Sequence, residues 1–177
     1  MIHLITGGSA SGKSAYAEQL IRVETKDTGR IYLATMVKGN DSENAARIQK
    51  HRDRRESLYF QTIEQATGLK DLEIPKGSTV LLEDVPNLLA NEMFSPAGNM
   101  DLAVSSVLDG LHHLMEQAGN LYIVTGEVFT EGIEVYDDMT LRYLENLGRI
   151  HQDLGKRADA VTEVVYGIPV KIKEYEK

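Results

Sequence analysis

"IHLITGGSASGKS", residues 2–14, decides how the rest of the chain is read. The run IHLIT reads as a short apolar strand, and a glycine-rich segment from Gly7 to Ser14 follows it directly. Gly7, Gly12, Lys13 and Ser14 match the spacing G-x-x-x-x-G-K-[ST]. Glycines at those points let the backbone turn tightly, so that its N–H groups converge on phosphate oxygens. The helical stretch AYAEQLIRVE comes next, and the positive end of a helix favours the same anion. In this reading Lys13 reaches the later phosphates of a nucleotide and the Ser14 hydroxyl ligates magnesium.

Beyond the loop, apolar runs alternate with amphipathic ones. Ile31–Thr35 (IYLAT), Thr79–Asp84 (TVLLED) and Leu121–Thr125 (LYIVT) read as strands. In the stretch after Met100, Val104, Val107, Leu108, Leu111, Leu114 and Met115 form one helical stripe. A last long helix turns Leu141, Leu144, Leu147, Ile150 and Leu154 toward the core, and the chain closes with a strand, a turn near Gly167 to Pro169 and a second strand. Strand–helix–strand succession points to a mostly parallel sheet flanked by helices, an α/β fold. Ser42–Glu56 reads as a further helix candidate, acidic at its start and arginine-rich at its end, as the helix dipole prefers. The segment GEVFTEGIEVYDDMT reads as an acidic surface loop. No repeat, low-complexity tract or long linker divides the chain, so residues 1–177 are expected to form one nucleotide-binding domain.

Composition narrows the function classes. A net charge of −8 and a pI near 5.1 argue against broad binding to a nucleic-acid backbone. The absence of cysteine excludes disulfides, zinc–thiolate sites and a cysteine nucleophile. No apolar run approaches the roughly 18 residues that a membrane span needs, and the start lacks the features of a signal peptide. The expected location is the cytoplasm.

A phosphate-binding loop that uses magnesium needs an acidic partner, and Glu83 and Asp84 end the strand VLLED at the edge where ligands bind in such sheets. Either can hold the metal through water or activate an acceptor hydroxyl. Neighbouring strand residues point to opposite faces, so the two are not expected to share one role. His51 lies in RIQKHRDRR, where Arg47, His51 and Arg55 share one helix face with Arg54 nearby. A neutral imidazole can attack phosphorus while arginines balance the phosphate charge, although the same pattern also suits a plain basic surface. His3, His112 and His113 read as structural; His151 is either packed or facing a cleft.

With these stretches in view, the chain resembles the bifunctional adenosylcobinamide kinase and adenosylcobinamide-phosphate guanylyltransferase family of cobalamin biosynthesis. The likeness runs in order through ITGGSASGKSAYAE, YLAT, AARIQKHRDRR, QTIE, VLLED with NLLAN, IVTGEV and GIPVKIK. It implies a three-layer P-loop NTPase of RecA-like type assembled as a homotrimer, with ATP, GTP and Mg2+ as cofactors and a corrinoid as the other substrate. It further implies phosphorylation of the aminopropanol hydroxyl, then transfer of GMP through a histidine phosphoramidate. Carried over by position, the nucleotide loop is Gly7, Gly8, Ser9, Ala10, Ser11, Gly12, Lys13 and Ser14, and the nucleotide-contacting strand end is Ala34, Thr35 and Met36. His51 corresponds to the GMP acceptor, and Arg52, Asp53, Arg54, Arg55, Glu64 and Glu83 fall where the family contacts nucleotide or metal. Lys13 and Glu83 would serve the kinase step, with Ser14 and Glu83 on the metal. This chain has Asp84 where the family often has cysteine, Gly126 and His151 where asparagine is common, and Glu56, Tyr59 and Phe60 in place of the usual proline and tryptophan. Two other readings remain: a small-molecule kinase that does not need His51, and a non-catalytic nucleotide-binding oligomer.

Overall fold

A computed structural model describes residues 1–25, 29–36, 59–127 and 136–174. The expected helix Ser42–Glu56 and most of the acidic loop after Gly126 lie outside these residues. Among them, the chain alternates β1 (Ile2–Thr6), α1 (Lys13–Glu24), β2 (Arg30–Ala34), β3 (Phe60–Glu64), β4 (Thr79–Glu83), α2 (Val85–Phe94), α3 (Ala103–Gln117), β5 (Asn120–Val124), α4 (Asp138–Arg157), β6 (Ala160–Val165) and β7 (Ile168–Lys173). The strands form one sheet in the order β3–β2–β4–β5–β1–β6–β7. Every neighbouring pair is parallel except β6 and β7, which form an antiparallel hairpin.

Alternation along the central strands divides the core into two layers. Leu4, Ile31, Leu33, Val80, Leu82, Leu121 and Ile123 join the aliphatic layer covered by α2, α3 and α4. Ile5, Tyr32, Leu81, Tyr122 and Val124 point the other way, onto Ala17 and Ile21 of α1. Strands buried on both faces read as continuous apolar runs, which is why VLL and LYIV signal so clearly. The helical stripes behave as their period demands: Val107, Leu111 and Leu114 of α3 and Leu147, Ile150 and Leu154 of α4 are fully buried. In α4 the polar Asn146 joins the buried set, whereas Leu141 and Leu144 are only half-buried.

The closing turn differs from expectation. The final turn is Tyr166–Gly167, one residue earlier than the glycine and proline indicate, and Pro169 sits inside β7 opposite Val164. β7 is the outermost strand, where a missing N–H costs no ladder bond. The segment VPNLLANEMF is helix α2, started by Asp84 as its N-cap with proline in the first turn.

Candidate nucleotide site

Parallel strands bring their carboxyl ends to one edge of the sheet, and the loop between β1 and α1 lies on that edge. Gly12 is the N-cap of α1 with φ of 96°, so α1 begins at Lys13 with its N-terminus facing the loop. Gly7 has φ of 149°, and a Cβ there would lie 2.5 Å from the Val164 carbonyl oxygen. The loop therefore packs directly against β6, and only glycine fits at its entrance. A Cβ on Gly8 would meet nothing within 4 Å among the described residues, so with respect to them the opposite side of the loop is open. The Ser11 Oγ is buried without a hydrogen-bond partner among the described residues.

Lys13 folds back over this opening and donates from Nζ to the Gly8 carbonyl at 3.0 Å. The Ser14 hydroxyl donates to Oε1 of Glu83. The other carboxylate oxygen, Oε2, accepts from the Tyr32 hydroxyl at 3.1 Å. Glu83 is thus the β4 carboxylate that faces the loop. Alternation explains the choice: Glu83 is two residues beyond Leu81 and shares its α1-facing side.

Asp84 has a different position. Its Oδ1 accepts from the Asn87 backbone N–H at 2.8 Å and from Asn87 Nδ2 at 2.9 Å, capping α2. Burial pushes its carboxyl above the usual range, opposed mainly by the Asn87 backbone N–H, while the nearby Glu83 charge pushes the same way as burial. Thr35 is fully buried; its Oγ1 donates to the Asp84 carbonyl at 2.8 Å and accepts from the Asp84 N–H at 2.7 Å. The Thr35 side chain thereby holds the end of β4. Ala34 pairs with Glu64 on one side and Glu83 on the other, so the three residues form one row at the carboxyl edge. Glu64 is exposed and Met36 half-buried. His51, Arg52, Asp53, Arg54 and Arg55 lie outside the described residues.

Several polar features escaped the sequence reading. Thr125, just past β5, bonds through Oγ1 with His151 Nε2 at 2.7 Å, and burial pulls the His151 pKa down to about 4. His151 is therefore a packed, neutral ring. Tyr143 donates to the Pro86 carbonyl at 3.1 Å, with its pKa pushed up to about 12 by burial first and by Asp84 second. Both pairs join residues far apart in the chain, so no local pattern announces them. His3 bonds with Thr162 Oγ1 at 2.9 Å, and His112 pairs with Asp153 at 2.8 Å. These are structural arrangements.

A family model described as cobinamide kinase / cobinamide phosphate guanyltransferase matches residues 3–172. The chain belongs to this CobU family. It is 32% identical to a protein named "Bifunctional adenosylcobalamin biosynthesis protein CobU" from Escherichia coli (strain K12), over 98% of this chain and all of that one. A relative from Pseudomonas aeruginosa, named "Bifunctional adenosylcobalamin biosynthesis protein CobP", is 29% identical over 98% of both chains. Among solved structures, a KaiC-like protein from Pyrococcus horikoshii aligns with a TM-score of 0.51 at 11% identity, covering 92% of this chain and 71% of that one. That likeness speaks to the fold, a three-layer α/β architecture of the P-loop NTPase type. No helix among the described residues is long and apolar enough to cross a membrane.

Proposed function

We propose that this chain carries out both reactions for which its family is described: phosphorylation of cobinamide, in its adenosyl form, and transfer of GMP from GTP to the resulting phosphate. The observation that carries the kinase step is the meeting of Ser14 Oγ with the Glu83 carboxylate beside Lys13. In the proposed step the aminopropanol oxygen of the corrinoid forms a bond to the γ-phosphorus of ATP or GTP, and its hydroxyl proton passes to water. The bond from that phosphorus to the β–γ bridging oxygen breaks, and the nucleoside diphosphate leaves with the electron pair. Lys13 holds phosphate oxygens as a point charge, and the loop amides orient the chain of phosphates. A hydroxyl and a carboxylate are the hard oxygen donors that magnesium takes, usually with phosphates and waters completing its shell. Ser14 and Glu83 would hold Mg2+, which when bound would neutralise charge on the transferring phosphate.

For the second reaction we assign His51 as nucleophile. Its neutral imidazole attacks the α-phosphorus of GTP, pyrophosphate leaves, and the histidine-bound GMP then passes to the phosphate oxygen of the corrinoid. Arg52, Arg54 and Arg55 would neutralise the phosphates around it, with Asp53 among them in the sequence. Ala34, Met36 and Glu64 complete the nucleotide surroundings at the strand ends. A homotrimer of single-domain chains working in the cytoplasm is the form we propose for the enzyme.

Mass spectrometry after incubation with GTP tests this assignment. Wild-type protein should gain an acid-labile GMP on His51. His51→Ala should lose the label and guanylyl transfer while keeping corrinoid phosphorylation, because the kinase step uses Lys13 and Glu83. Kinase turnover by wild type with no GMP adduct would reduce the function to a kinase alone.

A further inference from the structure

We propose that Tyr166 is the stacking platform for the purine base of the nucleotide held by the phosphate loop, and that it serves ATP and GTP alike. The proposal rests on the phosphate-loop reading above and adds the residue that holds the other end of the nucleotide.

Polarity along the site gives the direction. Ser14 and Glu83, the residues that would hold magnesium, belong beside the terminal phosphates, where charge develops during transfer. Glu83 ends β4, which is separated from β1 by β5. The terminal phosphate therefore lies on the β5–β4 side of the loop. A nucleoside triphosphate is a linear chain, so its ribose and base leave on the opposite side. There β1 is paired with β6, and the β6–β7 turn rises beside the loop.

That turn is attached to the loop itself. The Gly167 N–H donates to the Ser11 carbonyl at 2.8 Å. A Cβ built on Gly12 would lie 3.5 Å from the Gly167 Cα. Tyr166 precedes Gly167, so its ring is carried at the rim where the base must emerge.

Among the described residues nothing accounts for a tyrosine at this point. Val165 pairs with Ile168, leaving Tyr166 and Gly167 as a two-residue hairpin loop with φ of 52° and 79°. Positive φ at both central positions is the type I′ geometry, which favours Asn-Gly and disfavours bulky side chains at the first place. The ring is 94% exposed, so burial contributes no compensation. A large aromatic held in a disfavoured conformation and in water, bonded through its neighbour to the phosphate loop, is suited to a ligand with a flat apolar face. Stacking does not distinguish one base from another because each has a π-face. One tyrosine can thus serve a reaction that takes ATP and another that takes GTP.

Asparagine at this position suits the turn, so Tyr166→Asn removes the ring without endangering the fold. Calorimetry with magnesium on wild type and this variant should use ATP, GTP and inorganic tripolyphosphate. Affinity for ATP and GTP should fall about tenfold in Tyr166→Asn and be retained in Tyr166→Phe, with tripolyphosphate affinity unchanged. The chain has no tryptophan, so Tyr166→Trp adds a single indole reporter, which ATP and GTP should quench and tripolyphosphate should not. Wild-type affinity of Tyr166→Asn for both nucleotides would overturn the proposal. So would an equal loss for tripolyphosphate, which would mean that the ring acts through the shape of the loop. A change of oligomeric state with unchanged affinities would assign the ring to a subunit contact instead. Wild-type protein that binds no tripolyphosphate would bring down the phosphate-loop reading itself, and this proposal with it.

Discussion

Arg30 and Lys13 are both cations held against backbone carbonyls, at opposite edges of the same sheet. Arg30 begins β2 at the amino edge and is only 2% exposed. Its guanidinium donates to the Ile21 carbonyl at 3.2 Å, the Thr25 carbonyl at 2.8 Å and the Thr25 Oγ1 at 3.2 Å. It thereby closes the end of α1, where carbonyls lack helical partners and the dipole is negative. Beside it Tyr122 donates to Glu24 at 2.8 Å, and burial first, then the Glu24 carboxylate, raises the tyrosine pKa. Lys13 lies at the carboxyl edge, on the loop that receives the other end of α1. Its ammonium bonds the Gly8 carbonyl across the open side of the loop. A planar guanidinium locked among carbonyls is a structural fixture; a flexible ammonium at an opening can exchange its contact for a phosphate. The two ends of one helix thus separate stability from binding.

Lys13→Ala breaks the comparison at its functional end and has the largest expected effect. Removal of a preorganised charge from the transferring phosphate should lower cobinamide phosphorylation on the order of 10³-fold. Thermal unfolding should stay close to wild type, because the side chain covers an opening and fills no core space. Steady-state kinetics and a melting curve on the same preparation check both halves. A large drop in melting temperature would place Lys13 with Arg30 as a structural cation.

Arg30→Met is the mirror experiment. It keeps the apolar stem but takes the guanidinium donor from the half-buried Thr25 carbonyl, while the Ile21 carbonyl still accepts from the Thr25 N–H and hydroxyl. Stability should fall by about 1–2 kcal/mol, the cost of one poorly satisfied acceptor and the lost guanidinium contacts. Nucleotide affinity of the folded fraction should be unchanged. Urea titration reads the first quantity and calorimetry the second.

The same contrast explains what could be read in the sequence. The phosphate loop was legible because its chemistry is local: glycines, lysine and serine at fixed spacing after an apolar strand. Alternation predicted that Glu83 and Asp84 would part company, but which one faces the loop depends on the register of β4 against β2 and β5. β3 carries no clean signal, since Gln61, Thr62 and Glu64 are exposed on an edge strand. α2 buries Val85, Leu88, Leu89 and Met93 without a sharp polar face, so it does not read as a helix in sequence, and its start shows only in the Asp84 cap that the structure reveals. Arg30 was invisible because a charged residue at a strand start ordinarily reads as solvated. Its burial is decided by where α1 ends, which is a tertiary fact.

His151 gives the finest test, because it lies at the carboxyl edge but is closed on a partner as residues at the amino edge are. The ring meets Thr125 Oγ1, and burial holds its pKa near 4 against an ordinary 6.5. Between those two values the unfolded chain binds a proton that the folded chain refuses. Falling pH therefore favours unfolding: the contribution of the neutral ring is whole above pH 6.5 and is lost as pH falls to about 4. With the ring's partial exposure allowed for, the loss is on the order of 2 kcal/mol. His151→Asn keeps a hydrogen-bonding group beside Thr125 but cannot take up that proton. Its stability should decline less steeply than wild type across this window, with the two curves parallel above it. Chemical denaturation at a series of pH values measures the difference directly, since the carboxylates common to both proteins cancel. Parallel curves throughout would mean that His151 is open to solvent in the folded protein, and would move it from the closed groups to those available for a ligand.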